Sequence, residues 1–210
     1  MRRRCVPWFL GTALAVISAL QVRGAAPAPI DAIAAPVTAA KNAPSPSGKP
    51  DRAPDVDYVV SPEKVVDKML ELAEVKKGDV VYDLGSGDGR ILIAAAKKYG
   101  VRAKGFEIDP KLVAKLRENI KQAGVENLAT VEQADLLTVD LSEATVVTLY
   151  LLPSVNVQLI PQLERLTPGS RIVSHDFDIR GIQTDKEARV DVAGIGHWIY
   201  RINTPLERKN

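Results

Sequence analysis

The spacing between hydrophobic residues changes from one segment of the chain to the next. Short segments rich in apolar and β-branched residues, without strict alternation, are typical of strands buried on both faces. We predict such strands at 79–84, 102–107, 128–133, 144–152 and 170–174. Between them, apolar residues recur every three or four positions, as on one face of a helix. These helical stretches are 89–99, 110–122, 153–166 and an earlier one that ends at Lys77-Gly78. The alternation predicts an α/β fold with a mostly parallel sheet and helices on both of its faces.

Local signals predict where the first helix begins and how the sheet ends. The order Ser61-Pro62-Glu63 predicts Ser61 as the N-cap of the first helix and Pro62 as its first residue. Two short runs, 189–193 and 198–202, are joined around Gly194-Ile195-Gly196. We therefore expect an antiparallel hairpin that closes the sheet at one edge.

The amino-terminal residues have the composition of a targeting segment. Arginines follow Met1, residues 6–20 carry no charge, and small residues precede Ala25. The apolar region of a signal peptide has about 7–15 residues, whereas a membrane span needs about 20. We expect residues 1–24 to engage the export machinery or the membrane. The chain would then be periplasmic or secreted after cleavage near Ala25, or anchored to the inner membrane if the segment is retained.

The rest of the chain divides by composition. Residues 25–54 are rich in Ala and Pro without a hydrophobic period, which predicts a disordered linker. The alternating elements place one domain at 55–204 and a short tail at 205–210. Cys5 is the single cysteine and lies in the predicted leader, so a cleaved chain would have no disulfide and no cysteine nucleophile.

The net charge and the small number of possible metal ligands argue against two classes of function. The formal charge of +2 depends on arginines of the leader, and the remaining chain is slightly acidic. This argues against sequence-independent nucleic-acid binding, which needs a basic surface. The chain has two histidines and no cysteine beyond the leader, so no zinc-binding spacing is present and we expect no metal.

The loop after the first predicted strand is rich in glycine. Gly85 and Gly87 can adopt positive φ and allow a ligand to approach the backbone, and we expect Gly89 to let the next helix pack near the strand. The pattern is G-x-G-x-G, with Arg90 at the place of the last glycine in the G-x-G-x-x-G of dinucleotide-binding loops. The loop therefore predicts a ligand site at the carboxyl end of this strand.

Acidic residues in and after this loop indicate the kind of ligand. Asp83 and Asp88 would repel a pyrophosphate, and they suit a ligand that is cationic at this point. S-adenosylmethionine has a sulfonium and an ammonium group and no phosphate. Glu107 ends the second predicted strand, where an acid accepts ribose hydroxyls in both NAD and S-adenosylmethionine sites. Asp135 follows the third strand, where it could accept from the adenine amino group.

These residues resemble a known family. The segment from Val80 to Arg90 is similar to motif I of class I, seven-strand, Rossmann-like S-adenosylmethionine-dependent methyltransferases, and Glu107 and Asp135 match their ribose-side and adenine-side acids. Three further segments, 58–62, 150–154 and 172–175, resemble a bacterial group related to the mitochondrial lysine methyltransferases of the ATP synthase c-subunit and the adenine nucleotide translocase. The resemblance implies a seven-stranded sheet, S-adenosylmethionine as cofactor, and Tyr58 in a segment that folds over it.

The methyl acceptor is expected beyond the fourth and fifth strands. Tyr150 follows the fourth strand and could orient an amine or stack on a cation. His175 ends the fifth strand and could take the proton that an amine sheds, although a histidine hydrogen-bonded to a loop is an equal alternative. We expect His197, ahead of the last strand, to support Trp198. The acceptor itself, a protein lysine or a small molecule, does not follow from these residues.

Three hypotheses remain open at this point. The first is an exported or anchored methyltransferase. The second is a non-catalytic module that binds an adenosyl ligand, because S-adenosylmethionine is made in the cytosol whereas the leader directs the domain outward. The third is an NAD(P)-dependent oxidoreductase, which Arg90 and the acids of the loop oppose. Comparing the affinity of the chain for S-adenosylmethionine with its affinity for NAD would distinguish the third hypothesis from the other two.

Overall fold

The computed structural model describes residues 59–209. The predicted leader, the Ala/Pro-rich linker and Tyr58 lie outside the described residues, so the predictions made for them stay predictions. Within 59–209, no helix combines the length and the apolar character that a membrane span requires.

Four helices and seven strands follow one another in the described residues. Their order is α1 (Glu63–Leu72), β1 (Val80–Leu84), α2 (Arg90–Tyr99), β2 (Arg102–Glu107), α3 (Pro110–Ala123), β3 (Ala129–Gln133), β4 (Val146–Leu149), α4 (Pro153–Leu163), β5 (Arg171–His175), β6 (Lys186–Val192) and β7 (Ile195–Asn203).

All seven strands belong to one sheet with the spatial order β3-β2-β1-β4-β5-β7-β6. Strands β1 to β5 are parallel to one another, and β7 lies antiparallel between β5 and β6. The prediction of a Rossmann-like, mostly parallel, seven-stranded sheet with an antiparallel carboxyl-terminal hairpin is confirmed. The strand order reverses between β1 and β4, and ligands bind at such a switch point, beyond the carboxyl ends of the strands.

Two hydrophobic cores cover the two faces of this sheet. On one face α1, α2 and α3 pack around Val81 of β1. On the other face α4 and the loop before β4 pack around Tyr82 and Leu84. Side chains alternate between the faces of a strand, so β1 contributes to both cores and is buried along its whole length. The sheet therefore provides a rigid base for the loops at its carboxyl edge.

Several elements differ from the predicted ones at their ends. Strand β4 ends at Leu149 rather than near 152, and α4 ends at Leu163 rather than 166. The hairpin strands are longer than predicted, and Ala193 and Gly194 form the turn between them, with φ of 51° and 84°. Positive φ at both central residues is what a tight two-residue hairpin turn requires.

The predicted N-cap of α1 is wrong. Pro62 occupies the N-cap position, and no side chain caps the helix. The Ser61 hydroxyl instead lies 2.9 Å from Nδ1 of His175, at the end of β5. Ser61 therefore links the start of α1 to the central sheet.

The described part of the predicted tail returns to the domain. Arg208 pairs with Ile182 in an isolated antiparallel bridge, and the backbone N–H of Lys209 donates to the carbonyl of Gly181. These contacts hold the segment after β7 against the loop between β5 and β6.

Candidate active site

The glycine loop connects β1 to α2 at the carboxyl edge of the sheet. Gly85 and Gly87 have φ of +80° and +53°, as predicted. The N–H groups of Gly85 and Ser86 donate to the carbonyl oxygen of Phe106 at 2.9 and 3.1 Å. The loop is therefore fastened to β2.

The role predicted for Gly89 needs a correction. Gly89 precedes α2 with φ of +82°, and a Cβ there would lie 2.7 Å from Leu116 of α3, not against the strand. The close approach between α2 and the sheet occurs at Gly105 of β2. A Cβ at Gly105 would lie 2.4 Å from the Ser86 hydroxyl and 2.6 Å from Leu92 of α2. Two glycines thus make room for the loop and its helix.

Asp83 is the buried acid of the site. It is 3% exposed, and its carboxylate accepts a hydrogen bond of 2.6 Å from the Thr148 hydroxyl on β4. Burial raises the pKa of Asp83 to about 7, and the nearby carboxylates of Glu107 and Asp88 act in the same direction, while the Thr148 hydrogen bond opposes them. A carboxylate in this environment is stabilised by a cation.

Asp88 is placed differently from Asp83. Both of its carboxylate oxygens accept from the Arg90 guanidinium, at 3.0 and 2.6 Å, and Arg90 also donates to the carbonyl of Ser61 at 2.8 Å. A bidentate pair of this kind compensates much of the charge of Asp88. The negative charge available to a cationic ligand therefore comes mainly from Asp83, and Arg90 ties the loop to the segment before α1.

Glu107 is buried and holds three backbone N–H groups. Its Oε2 accepts from Gly87 at 2.9 Å, and its Oε1 accepts from Ile108 and Asp109 at 2.9 and 3.0 Å. A carboxylate has about four acceptor positions, so one remains for a ribose hydroxyl. Acceptance from both hydroxyls would require the Gly87 bond to open or to be shared. Glu107 therefore also has a structural function that its position alone did not reveal.

Asp135 follows β3, which pairs with β2 beside Glu107. Its Oδ1 accepts from the N–H of Leu137 at 2.9 Å, and its carbonyl accepts from the Thr138 hydroxyl. The sheet order thus brings Asp83, Glu107 and Asp135 to the ends of three adjacent strands at one edge, as predicted.

A cleft open to solvent lies above the ends of β1 and β4. It contains about 350 Å³ of space, open solvent at its mouth included. Its described lining residues are Val59, Val60, Ser61, Asp83, Gly85, Ser86, Asp88, Arg90, Ile91 and Tyr150. The predicted cofactor residues of the loop and the predicted acceptor residue Tyr150 therefore share one cleft. Glu107 joins it through Gly87, whereas Asp135 and His175 are not part of its lining.

Tyr150 lies on the cleft wall next to the end of β4. Its ring packs on the His175 imidazole with centroids 3.9 Å apart. Burial raises the pKa of the Tyr150 phenol, and the charge of Asp176 adds to this. The hydroxyl therefore stays protonated at neutral pH and can orient a ligand without acting as a base.

His175 does not line the cleft, and of the two roles considered for it the hydrogen-bonded histidine describes its contacts. Its side chain is fully buried, its Nδ1 contacts the Ser61 hydroxyl, and its Nε2 lies 3.0 Å from Nδ1 of His197. Its pKa is lowered to about 4, mainly by burial; the charge of Asp176 opposes this shift and the proximity of His197 adds to it. His175 therefore contacts Tyr150 and Ser61 from the interior of the domain, and it cannot take a proton directly from an amine in the cleft.

His197 also differs from its prediction. It lies within β7 rather than ahead of it, and its ring contacts His175 and Asp176.

Thr148 is a site residue that the sequence analysis missed. Its signal in the sequence is that it is polar in an otherwise apolar strand, and the structure pairs it with Asp83 in the β1–β4 register. Ser61 and His197 carried no comparable signal.

Fold and site together define a class I S-adenosylmethionine-dependent methyltransferase. The glycine loop lies at the switch point of the sheet, with the buried Asp83 and Glu107 at the strand ends, which is the arrangement that the resemblance to this class implies. Residues 83–186 match the model of the ANTKMT methyltransferase domain. The chain belongs to this family of S-adenosylmethionine-dependent enzymes, and the oxidoreductase hypothesis is set aside.

Individual relatives agree with this assignment. The chain is 47% identical to a protein-lysine N-methyltransferase of Saccharolobus islandicus over 70% of its own length and 92% of the relative. It is 34% identical to the adenine nucleotide translocase lysine N-methyltransferase of Mus musculus, over 72% of this chain and 70% of that protein. A solved structure of an RNA methyltransferase from Salinibacter ruber, in complex with S-adenosyl-L-homocysteine, is 55% identical with a TM-score of 0.66, over 72% of this chain and 97% of that one.

Proposed function

We propose that this methyltransferase acts on the side-chain amine of a lysine in a protein. The observation that carries the proposal is the 47% identity to a protein-lysine N-methyltransferase along 92% of that protein. The relative from Mus musculus, also a lysine methyltransferase by name, extends the same resemblance to a distant organism.

The chain has residues suited to hold the cofactor. When bound, S-adenosylmethionine supplies a methyl group activated by its sulfonium. Asp83 offers a buried carboxylate to the cationic part of the ligand, and the backbone of Gly85 and Gly87 allows close approach. We assign Glu107 to the ribose side and Asp135 to the adenine side. A pyrophosphate would meet the acids Asp83 and Glu107 at the same strand ends, so these residues fit an adenosyl ligand better than NAD.

Tyr150 is the residue we assign to the acceptor. A lysine must be neutral before its nitrogen can attack a carbon, and the proton it loses passes to solvent at the open side of the cleft. The protonated Tyr150 hydroxyl can accept from the amine N–H and so direct the nitrogen lone pair. The ring face is also attractive to an ammonium group, which favours lysine entry.

A second candidate acceptor is RNA, because the Salinibacter ruber structure is that of an RNA methyltransferase. The charges near the described cleft favour lysine over RNA. Arg90 at the cleft is already paired with Asp88, and several other cations pair with acids, including Lys104 with Glu132. An RNA-binding surface would need basic side chains available to phosphates.

The test is methyl transfer from S-adenosylmethionine carrying a deuterated methyl group. Purified protein is incubated with a lysine-peptide library and separately with an RNA pool, and mass spectrometry locates the label. Matched peptides with arginine in place of lysine are the control. Label on lysine peptides alone supports the proposal. Label on RNA favours the second candidate, and cofactor binding without any labelled product would support the non-catalytic hypothesis.

A further inference from the structure

We propose that His175, Asp176 and His197 form a binding site for a divalent transition-metal ion of the zinc class. The three residues meet where β5 ends beside β7. Nε2 of His175 lies 3.0 Å from Nδ1 of His197, and Oδ2 of Asp176 lies 3.3 Å from each of these nitrogens. This proposal does not depend on the identity of the methyl acceptor.

The triangle formed by these three atoms has the size of one face of a metal coordination shell. Zinc lies about 2.0–2.2 Å from histidine nitrogens and carboxylate oxygens. An ion about 2.1 Å from each of the three atoms would sit about 1 Å out of their plane, given separations of 3.0 and 3.3 Å. A single ion can therefore reach all three atoms at these separations.

Hydrogen bonds outside the triangle hold the ligands in orientation. Ser61 contacts the other ring nitrogen of His175 at 2.9 Å, which is the arrangement that fixes the tautomer of a metal-bound histidine. Oδ1 of Asp176 accepts from the N–H of Trp198 at 2.9 Å, so Oδ2 is the oxygen left to face the triangle. Asp176 also has φ of 57°, an uncommon backbone conformation that clusters at functional sites.

The chemistry of the ligands indicates the class of ion. Two imidazoles and one carboxylate suit zinc and the neighbouring first-row ions, whereas magnesium and calcium prefer oxygen ligands alone. The side chains of His197 and Asp176 are 14% and 26% exposed, so solvent can reach one side. Three protein ligands would leave at least one position for water, as in open zinc sites.

The position of the site predicts what a bound ion would do. His175 carries the Tyr150 ring on one side and contacts Ser61 at the start of α1, and both of these residues line the cleft. A metal would join β5 and β7 at the point where they support the acceptor wall. We therefore expect metal binding to stiffen this wall and to raise the stability of the fold.

Sequence spacing did not reveal the site because its histidines lie 22 positions apart on antiparallel strands. The register pairs His175 with Ile199, and only this pairing brings residue 197 beside residue 175. Without a metal, the same three side chains can share protons in a hydrogen-bonded cluster, and this is the alternative that the experiment must exclude.

The experiment titrates zinc, and separately magnesium, into untagged full-length protein that has been treated with a chelator. Zinc should bind with a dissociation constant on the order of micromolar or below and raise the melting temperature, and magnesium should do neither. Cobalt substituted for zinc should give visible absorption bands of a low-symmetry site. His197→Gln and Asp176→Asn should each weaken zinc binding by about 100-fold or more, since even an outer-shell partner is worth about 10–100-fold.

Asp191→Asn is the matched control, since this carboxylate lies in the neighbouring strand β6 and is 67% exposed. It should bind zinc like the unchanged chain. Each variant is first checked for binding of S-adenosylhomocysteine and for its metal-free melting temperature, so that misfolding is recognised. Zinc affinity that is unchanged in His197→Gln and Asp176→Asn, or absent from the unchanged chain, would overturn the proposal and identify the cluster as a hydrogen-bonded network.

Discussion

The Thr148 hydroxyl donates a hydrogen bond of 2.6 Å to the carboxylate of Asp83 on the neighbouring strand. The two residues are partners in the β1–β4 register, and both are buried. Hydrogen bonds to a charged group contribute about 1.5–3 kcal/mol. Thr148 therefore helps to keep the acid of the cofactor site ionised in a place where burial opposes ionisation.

Replacing Thr148 by valine tests this relationship, because valine has nearly the same shape but no hydroxyl. We expect Thr148→Val to weaken binding of S-adenosylmethionine by about tenfold or more at neutral pH, in line with the loss of one charged hydrogen bond. Isothermal titration calorimetry measures the change. Thr130→Val, at an exposed position of β3, is the control and should bind normally. Equal affinities of Thr148→Val and the unchanged chain would show that Asp83 is not a cofactor ligand.

The raised pKa of Asp83 predicts how cofactor affinity depends on pH. Because the cationic ligand favours the ionised acid, affinity should rise as pH increases towards and through about 7, the pKa of Asp83 in the free protein. Below that pH it should fall by up to about tenfold per unit. Calorimetry from pH 5.5 to about 8.5 covers this range. Asp83→Asn should bind weakly at every pH, and a variant that keeps the full pH dependence would assign it to another group.

The same group predicts a trend in the stability of the ligand-free protein. The pKa of Asp83 is higher in the folded protein, about 7, than its ordinary value of 3.8, so the folded state retains the proton more strongly. The stabilisation is therefore present below about pH 4 and is lost as pH rises through about 7. Urea unfolding of the unchanged chain and of Asp83→Asn separates this contribution from those of other groups.

Glu107 should be more important for folding than a ribose ligand alone would be. Glu107→Ala leaves three backbone N–H groups without their acceptor, and each unsatisfied buried group costs about 1–3 kcal/mol. We expect a clear loss of melting temperature in addition to weaker cofactor binding. Glu132→Ala on β3 removes only an exposed ion pair with Lys104 and should change stability by less than about 1 kcal/mol. A normal melting temperature for Glu107→Ala would show that water replaces the carboxylate.

Much of the fold was predictable because it depends on local pattern. The apolar run of β1 and the glycines between β1 and α2 predicted a buried strand followed by a ligand loop, and the family resemblance implied a seven-stranded sheet. The ends of β4 and α4 were less predictable. Apolar residues such as Leu151 continue the hydrophobic pattern beyond the end of β4, although they lie outside the strand and pack into the core formed with α4 and the loop before β4.

The candidate site was predictable on its cofactor side and less so on its acceptor side. Asp83 and Glu107 follow strands whose order is set by the fold, so their convergence could be inferred. The surroundings of His175 depend on the register of β5 with β7 and on Ser61, which is 114 positions away. No local signal encodes such contacts. For this reason the capping prediction for Ser61 was wrong, and the sequence could not decide between the two roles considered for His175.

Gly105 should tolerate no side chain, because a Cβ there would lie 2.4 Å from Ser86 and 2.6 Å from Leu92. Overpacking of this kind costs about 1–3 kcal/mol, and we expect Gly105→Ala to lower the melting temperature and to disturb the cofactor loop through Ser86. Gly196→Ala is the matched control on β7, where the crowding atoms belong to the exposed side chain of Arg189 and can move away. Similar melting temperatures for the two variants would mean that α2 shifts without cost.

Tyr150 is the residue that should separate turnover from cofactor binding. Its ring is held by the stack on His175, so Tyr150→Phe removes the hydroxyl and leaves the packing of the cleft wall intact. We expect the affinity for S-adenosylmethionine to stay within about twofold and kcat to fall by about tenfold or more, since positioning of the amine is lost. Single-turnover methylation of an identified lysine peptide, with calorimetry on the same samples, provides both quantities. Tyr99→Phe, at the far end of α2 from the glycine loop, should behave like the unchanged chain. If Tyr150→Phe instead weakens cofactor binding and leaves kcat intact, the hydroxyl belongs to the cofactor side and the acceptor enters the cleft elsewhere.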